Sequence, residues 1–247
     1  MTVHLIGITV TVHLIAVPLR MWYSEVMARL ARLVVPGLPH HVTQRGNGRQ
    51  KVFFSDEDYA LYRRLLVESC KAAGVACWAY VLMPNHIHAI LVPEDADGLR
   101  AALAPVHRRY AGLVNTRRRR TGHFWQGRYG AAVMDEAHLV AAFRYILRNP
   151  VAAGLVPEPE KWRWSSAGAY LKSRADSLTE TAPMLHRFPD MKALLKVEAP
   201  DMAETIVRAD ETIGRPLGDA AFISRIERKT GRRLIPNKRG PKPMKSN

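Results

Sequence analysis

The sequence contains few cysteines, few acidic residues and no long uninterrupted apolar run. Two cysteines, Cys70 and Cys77, form no CxxC motif and no disulfide framework, which favours reduced thiols in a cytosol. No P-loop pattern GxxxxGK[ST] occurs, so the sequence gives no support for an ATP-driven reaction. Apolar residues make up 47% of the chain, which is enough for a core and excludes a wholly disordered protein.

The scarcity of acidic residues leaves the protein strongly basic. Its 247 residues include 37 Lys and Arg against 22 Asp and Glu, giving a formal net charge of +15 and a pI near 10.3. This excess is typical of proteins that bind a polyanion, most simply a nucleic acid. The same basic excess disfavours a role that depends on an acidic protein surface.

The first nineteen residues are uncharged and mostly apolar, but they resemble neither a signal peptide nor a membrane-spanning helix. No positively charged region precedes them, as a signal peptide requires, and polar residues and Pro18 interrupt the run. The run is also too short and too polar for a spanning helix. We interpret residues 1–26 as an extension, with Met27 as a natural start, and expect a cytoplasmic, nucleoid-associated protein without a membrane partner.

Hydrophobic periodicity and turn residues after Met27 predict a small α+β unit. The order is strand, helix, two strands, helix, strand, helix, which indicates a mostly antiparallel sheet with helices packed on one face. Pro150 is expected to end the last helix, which Asp135 caps. The predicted strands cover 38–45, 76–83, 88–92 and 129–134, and the helices begin near Ser55, Gly98 and Asp135.

The chain is expected to divide into four regions. After the extension, residues 27–171 form the main domain, and residues 172–224 form a helical C-terminal region with few aromatics. Residues 225–247 contain nine Lys or Arg and one acidic residue, which predicts a basic flexible tail. Such a tail is either a phosphate-binding arm or a solubilising terminus.

His86 and His88 are the first candidates for chemistry. Residues two apart on a strand point to the same face, so both imidazoles project one way while Ile87 enters the core. Two imidazoles at this spacing can share a divalent metal ion. The alternative is an incidental pair of edge-strand histidines, and a metal site needs a third ligand from elsewhere.

Tyr145 and Asn149 are the second candidates, because they lie four residues apart on one face of the predicted helix. A tyrosine hydroxyl can attack a phosphodiester and hold the product as a phosphotyrosine. The amide oxygen of Asn149 could complete a metal site with the two histidines. The alternative is a half-buried tyrosine followed by a helix-capping asparagine before Pro150.

A basic and aromatic segment, residues 101–134, supplies the third feature. It contains seven arginines and no acidic residue, with several aromatics between them. Arginines can follow a phosphate backbone while aromatics stack unpaired bases, although a solvated arginine run beside core aromatics is the alternative. The arginines predicted to contact DNA are Arg108, Arg109, Arg117, Arg118, Arg119, Arg120 and Arg128.

Three sequence segments together resemble the REP-associated tyrosine transposases of the HUH endonuclease superfamily. These segments are LMPNHIHAILVP, GHFWQGRYGAAVMDEAHLVAAFRYILRNPVAAGLV and WRWSSAGAY. The resemblance covers about residues 27–171, and IGRPLGDAAFISRIE is similar to the C-terminal part of longer members. It implies a ferredoxin-like or RRM-like sheet.

The resemblance also implies roles for individual residues. His86 and His88 would hold Mg²⁺ or Mn²⁺ with Asn149 nearby, and Tyr145 would be the catalytic tyrosine. Tyr129 is the alternative nucleophile, because it also follows the pair formed by Trp125 and Gln126. Trp125 and Gln126 are expected to be DNA-contact or structural positions.

The implied activity is cleavage and rejoining of single-stranded DNA at hairpin-associated repeats through a 5′-phosphotyrosine. A hairpin-binding DNA or RNA regulator without catalysis is the first alternative, since the charge alone suffices for binding. A zinc-dependent hydrolase fits less well, because no HExxH motif occurs. Both a monomer and a homodimer are compatible with the sequence.

Overall fold

The computed structural model describes residues 3–5, 8–10, 32–196 and 215–234. The chain divides into two compact units, residues 1–31 and residues 32–247. In the first unit, β1 (Val3–Leu5) pairs antiparallel with β2 (Ile8–Val10). Met27 lies outside the described residues, so its role as a start stays a prediction.

The second unit is built on an antiparallel four-stranded sheet. Its strand order is β4-β5-β3-β6. The strands are β3 (His40–Arg45), β4 (Val75–Met83), β5 (His86–Pro93) and β6 (Gly130–Val133). The helices are α1 (Asp56–Ala72), α2 (Gly98–Arg117), α3 (Glu136–Ala152), α4 (Ala167–Lys172), α5 (Ala182–Arg187), α6 (Met191–Lys196) and α7 (Ala220–Thr230). The predicted α+β class with an antiparallel sheet is confirmed.

The helices cover both faces of this sheet, which corrects the prediction that they pack on one face. Side chains such as Val42 and Leu82 enter a core with α1 and α2. Their neighbours along the strands, such as Val81, pack with Ile90 and α3 on the other face. Alternate residues of a strand point to opposite faces, and both sets are apolar in the central strands, so each face must be covered.

Helix α3 begins where the sequence predicts but continues past Pro150. The side chain of Asp135 caps it by accepting the backbone N–H of His138 at 2.9 Å. Pro150 does not end the helix, because it removes only its own N–H from the ladder, and the N–H of Ala153 still donates to Asn149 O at 2.9 Å. Asn149 is therefore inside the helix and is not its C-cap.

Both edges of the sheet are covered by segments of the same unit. At β4 the N–H of Leu82 donates to Trp164 O at 2.9 Å, and at β6 the N–H of Leu217 donates to Val133 O at 2.8 Å. Helix α7 then packs Ile226, which is completely buried, in a small core with Val133. These hydrogen bonds satisfy backbone groups of the edge strands, which could otherwise pair with a strand of another chain.

Helix α7 runs across the boundary predicted at residue 225. Residues 225–230 are thus part of a packed helix, and residues 235–247 of the predicted tail lie outside the described residues. No helix in the described part of the chain is long and apolar enough to cross a membrane.

Candidate catalytic site

The β4–β5 hairpin carries both histidines of the HIH motif to one end of the sheet. His86 lies opposite Met83 at the turn, and His88 follows two residues along β5. Ile87 between them is buried in the α1/α2 core. The two imidazoles therefore lie on the α3 face, with ring centroids 4.9 Å apart.

The ring of His86 is oriented by the residue before it. Its Nδ1 lies 2.6 Å from Oδ1 of Asn85, and this oxygen can only accept, so Nδ1 carries the hydrogen. Burial and, secondarily, the charge of Arg45 lower the pKa of His86 to about 4. The ring is therefore neutral at pH 7, with Nε2 as its lone-pair nitrogen.

His88 is buried more deeply and has an unsatisfied nitrogen. Its side chain is 1% exposed, and its Nδ1 lies 3.0 Å from Nε2 of His41, with the two rings nearly parallel. Nε2 of His88 is buried and has no hydrogen-bond partner among the residues that the structure describes. Burial, reinforced by its neighbours His41, His86 and Arg45, holds the pKa of His88 well below its usual range.

Tyr145 on α3 lies against this pair. Its ring packs edge-to-face on His88, with centroids 5.1 Å apart and an interplanar angle of 89°. The side chain is half-buried at the edge of the α3 core. Asn149, which is 8% exposed, follows one helical turn later on the same side of α3.

The donor set fits a divalent metal ion held by two imidazoles and an oxygen ligand. A buried nitrogen without a partner is costly, and a bound cation would satisfy Nε2 of His88. Within the described ranges, no group of three or more His, Cys, Asp or Glu side chains could hold a metal ion. A third ligand must therefore come from another type of residue, from water or from the substrate, and an amide such as that of Asn149 qualifies.

Tyr129, the rival nucleophile, lies in the other core. It is 7% exposed and packs with the α1/α2 residues, with its ring centroid 6.2 Å from that of His107. The guanidinium of Arg32 covers its ring at 3.8 Å. Tyr129 is thus separated from His88 by the sheet, whereas Tyr145 contacts His88 directly.

The predicted DNA-contact residues fall into separate groups. Trp125 is half-buried against the α1/α2 core, where its Nε1 donates to His107 O at 3.0 Å. Gln126 is exposed, and its backbone N–H donates to Arg45 O at 2.9 Å, which ties this loop to the end of β3. Arg128 is exposed in the same loop.

The arginines near the end of α2 have different environments. Arg117 pairs with the fully buried carboxylate of Asp58, and Arg118 lies over the ring of Phe54 at 3.8 Å. Arg119 and Arg120 are exposed. The exposed residues Arg108 and Arg109 lie further back on α2, which packs on the sheet face opposite the two histidines.

Sequence reasoning missed two residues of this site, His41 and Arg45. Both are on β3, where Thr43 pairs with His88 and Arg45 pairs with His86. Alternation along β3 places His41, Thr43 and Arg45 on one face, a pattern that is readable in the sequence. Their proximity to the histidines depends on the pairing of β3 with β5, which local patterns do not reveal.

Comparison with known proteins finds a family model that matches much of the second unit. Residues 34–149 match the family model described as IS200-like transposase, and the match ends at Asn149. No curated protein matches the sequence significantly.

Two solved structures are similar in part. One is a REP-associated tyrosine transposase bound to a REP hairpin, with 19% identity, a TM-score of 0.49, and coverage of 62% of this chain and 92% of that chain. Another is a proposed transposase from Deinococcus radiodurans R1, with 20% identity, a TM-score of 0.35, and coverage of 47% and 94%. The similarity to a family rests on the family model. Residues 34–149, just under half of this chain, are similar to the IS200-like transposases.

Proposed function

We propose that this protein is a metal-dependent transposase that cleaves and rejoins single-stranded DNA at hairpin-associated repeats. The reaction passes through a covalent 5′-phosphotyrosine at Tyr145. The observation that carries the proposal is the packing of Tyr145 on His88, whose buried Nε2 has no partner within the described part of the chain.

Three side chains would hold the ion: His86, His88 and Asn149. A bound Mg²⁺ or Mn²⁺ supplies Lewis-acid polarisation of the scissile phosphate. Neutral imidazoles favour Mn²⁺, since Mg²⁺ prefers oxygen ligands. Arg45 adds a positive charge close enough to lower the pKa of both histidines, and the same charge favours a phosphate group there.

Tyr145 performs the exchange of phosphodiester bonds. Its Oη attacks the phosphorus, and the bond from phosphorus to the 3′ oxygen breaks. The phenol loses its proton, and the leaving 3′ oxygen gains one and becomes a hydroxyl. The 5′ phosphate stays on Tyr145. Attack by another 3′-hydroxyl reverses these changes and releases the tyrosine, so the reaction needs no ATP.

The exposed residues of the connection between α2 and β6 provide a polar, positively charged surface for a nucleic acid strand. Gln126 is tied to the end of β3, and Arg119, Arg120 and Arg128 supply positive charge from the same connection between α2 and β6. Arginine contacts to phosphates are tolerant of sequence. Recognition of a hairpin beside the cleaved strand follows from the resemblance to REP-associated transposases.

The test is a denaturing gel with end-labelled single-stranded hairpin DNA and either Mn²⁺ or EDTA. Wild type should form a slowly migrating adduct only with the metal, and Tyr145→Phe should form none while binding the DNA normally. Tyr129→Phe is the matched control and should retain the adduct. Tight binding with no adduct across a broad hairpin panel would instead favour the non-catalytic regulator.

A further inference from the structure

We propose that His41 is a positioning residue for the metal site, which acts by accepting the Nδ1 hydrogen of His88 and so keeping Nε2 of His88 free of hydrogen. This inference rests on the proposed function, because it concerns the metal site proposed there. It adds to the metal site a residue of β3, which no sequence motif assigns to that site. His41 contacts His88 and does not itself bind the ion.

The contact between the two rings is close and enclosed. Nε2 of His41 lies 3.0 Å from Nδ1 of His88, and the planes of the two rings are within 4° of parallel. His41 is 2% exposed and His88 is 1% exposed. Water therefore does not compete for this hydrogen bond, and its direction determines the tautomer of both rings.

Only one direction of the hydrogen bond permits metal binding. When His88 donates from Nδ1, its Nε2 has a lone pair for the ion. When His41 donates from Nε2, His88 must carry its own hydrogen on Nε2, which then cannot bind a cation. Metal-binding histidines usually donate their second nitrogen to a fixed acceptor, which orients the ring.

His86 provides an independent precedent within the same motif. Its Nδ1 lies 2.6 Å from Oδ1 of Asn85, an obligate acceptor, so its hydrogen is already on Nδ1. With His41 as the acceptor for His88, both histidines of the motif have the same tautomer. Both Nε2 atoms are then available to one ion.

An apolar residue at position 41 would be expected if the site served only packing. His41 faces the same α3 core as Ile90, its partner across the strands. A fully buried imidazole costs free energy relative to an apolar side chain unless its hydrogen bond serves a purpose. Support of His88 supplies that purpose.

The experiment is a titration of metal-free full-length protein with Mn²⁺, with free ion followed by electron paramagnetic resonance. His41→Leu should weaken Mn²⁺ binding 10- to 100-fold. His41→Gln restores an acceptor oxygen and should bind nearly as tightly as wild type. His107→Gln changes a buried histidine in the other core and should leave the affinity unchanged, whereas His88→Ala should abolish specific binding.

The outcomes separate this inference from the proposed function. Equal affinity of wild type and His41→Leu, or equal weakening by Leu and Gln, would overturn the role of His41 alone. Identical titrations of wild type and His88→Ala would overturn the metal site and this inference with it. Nitrogen NMR of wild type without metal needs no variant: we expect hydrogen on Nδ1 of His88, and hydrogen on Nε2 would overturn the inference.

Discussion

The ring of Tyr145 meets the ring of His88 edge-to-face, with centroids 5.1 Å apart. This contact joins a residue of α3 to a residue of β5 through the packing between them. Phe143, Ile146 and Leu147 are completely buried beside Tyr145. The hydroxyl-bearing side chain is therefore carried on a helix fixed by its core, which suits a nucleophile that must meet a phosphate at a defined position.

Asn149 should contribute to metal affinity if it is the third ligand. We expect Asn149→Ala to weaken Mn²⁺ binding and Asn149→Asp to preserve it, because a carboxylate supplies the same oxygen with added charge. The measurement is the Mn²⁺ titration described above. Unchanged affinity in Asn149→Ala would assign the third position to another ligand.

Arg117 should serve stability more than DNA binding. Its replacement leaves the carboxylate of Asp58, which is 0% exposed, without its cation. We expect Arg117→Gln to lower the free energy of unfolding by about 1–3 kcal/mol, as measured by urea denaturation. The exposed neighbour variant Arg119→Gln is the control and should change it by less than about 0.5 kcal/mol. Similar losses in both variants would contradict this assignment.

Arg119 and Arg120 should instead govern the salt dependence of binding. Replacing both by Gln should reduce the slope of log affinity against log salt by about 1.4 for single-stranded DNA, since each phosphate contact contributes about 0.7. Fluorescence anisotropy at several salt concentrations measures the slope. The matched double variant Arg108→Gln and Arg109→Gln should change it less, because these residues lie about three helical turns back along α2, away from the connection that joins the end of β3. A larger change in the slope for the Arg108 and Arg109 double variant would instead indicate that the DNA contacts α2.

Two buried histidines outside the site should make the protein sensitive to acid. His40 accepts the N–H of Val35 at Nε2, and His107 lies 2.9 Å from the hydroxyl of Tyr62. Burial lowers the pKa of His40 to about 4 and that of His107 to about 3. In the unfolded chain both titrate near 6.5, so the unfolded state binds more protons below that pH.

Stability should therefore decrease as the pH falls from about 6.5 towards 4. Between pH 7 and pH 5 each of these histidines should lower the free energy of unfolding by about 2 kcal/mol. Urea denaturation in EDTA at both pH values measures the change. His107→Gln should remove its own share of the pH dependence, and a wild-type stability that is flat over this interval would contradict the explanation.

Helix α7 should be an integral part of the fold. Ile226 is completely buried with Val133 and Phe222, so Ile226→Ala should cost about 2–4 kcal/mol of unfolding free energy. Arg228→Ala, at an exposed position of the same helix, should cost less than about 0.5 kcal/mol. Equal stability of the two variants would show that α7 does not stabilise the domain.

Local patterns predict much of this fold but little of its long-range pairing. The alternation of His86, Ile87 and His88 predicts a strand with both imidazoles on one face, and Asp135 predicts the start of α3. The sequence did not predict the second helical layer, because the apolar stripe of α3 shows that the helix packs on a sheet but not on which face of the sheet it packs. Likewise, nothing local in β3 indicates that Arg45 pairs with His86.

The same limit applies to the site. Tyr145 and Tyr129 both follow Trp125 and Gln126, and the sequence favours Tyr145 because Asn149 lies one helical turn after it. They differ in the core that each one joins, which depends on how α3 and β6 pack on the sheet. The hydrogen bond from His88 to His41 links residues 47 positions apart, so it follows only from the folded arrangement.

Mass spectrometry of the trapped adduct tests the central claim most directly. Trypsin cuts after Arg128, Arg144 and Arg148, which places Tyr145 in the peptide YILR and Tyr129 in a separate peptide. After reaction with Mn²⁺ and hairpin DNA, followed by nuclease digestion, we expect a nucleotide mass on YILR. A nucleotide on the Tyr129 peptide, or an adduct on neither peptide, would contradict the assignment of Tyr145 as the nucleophile.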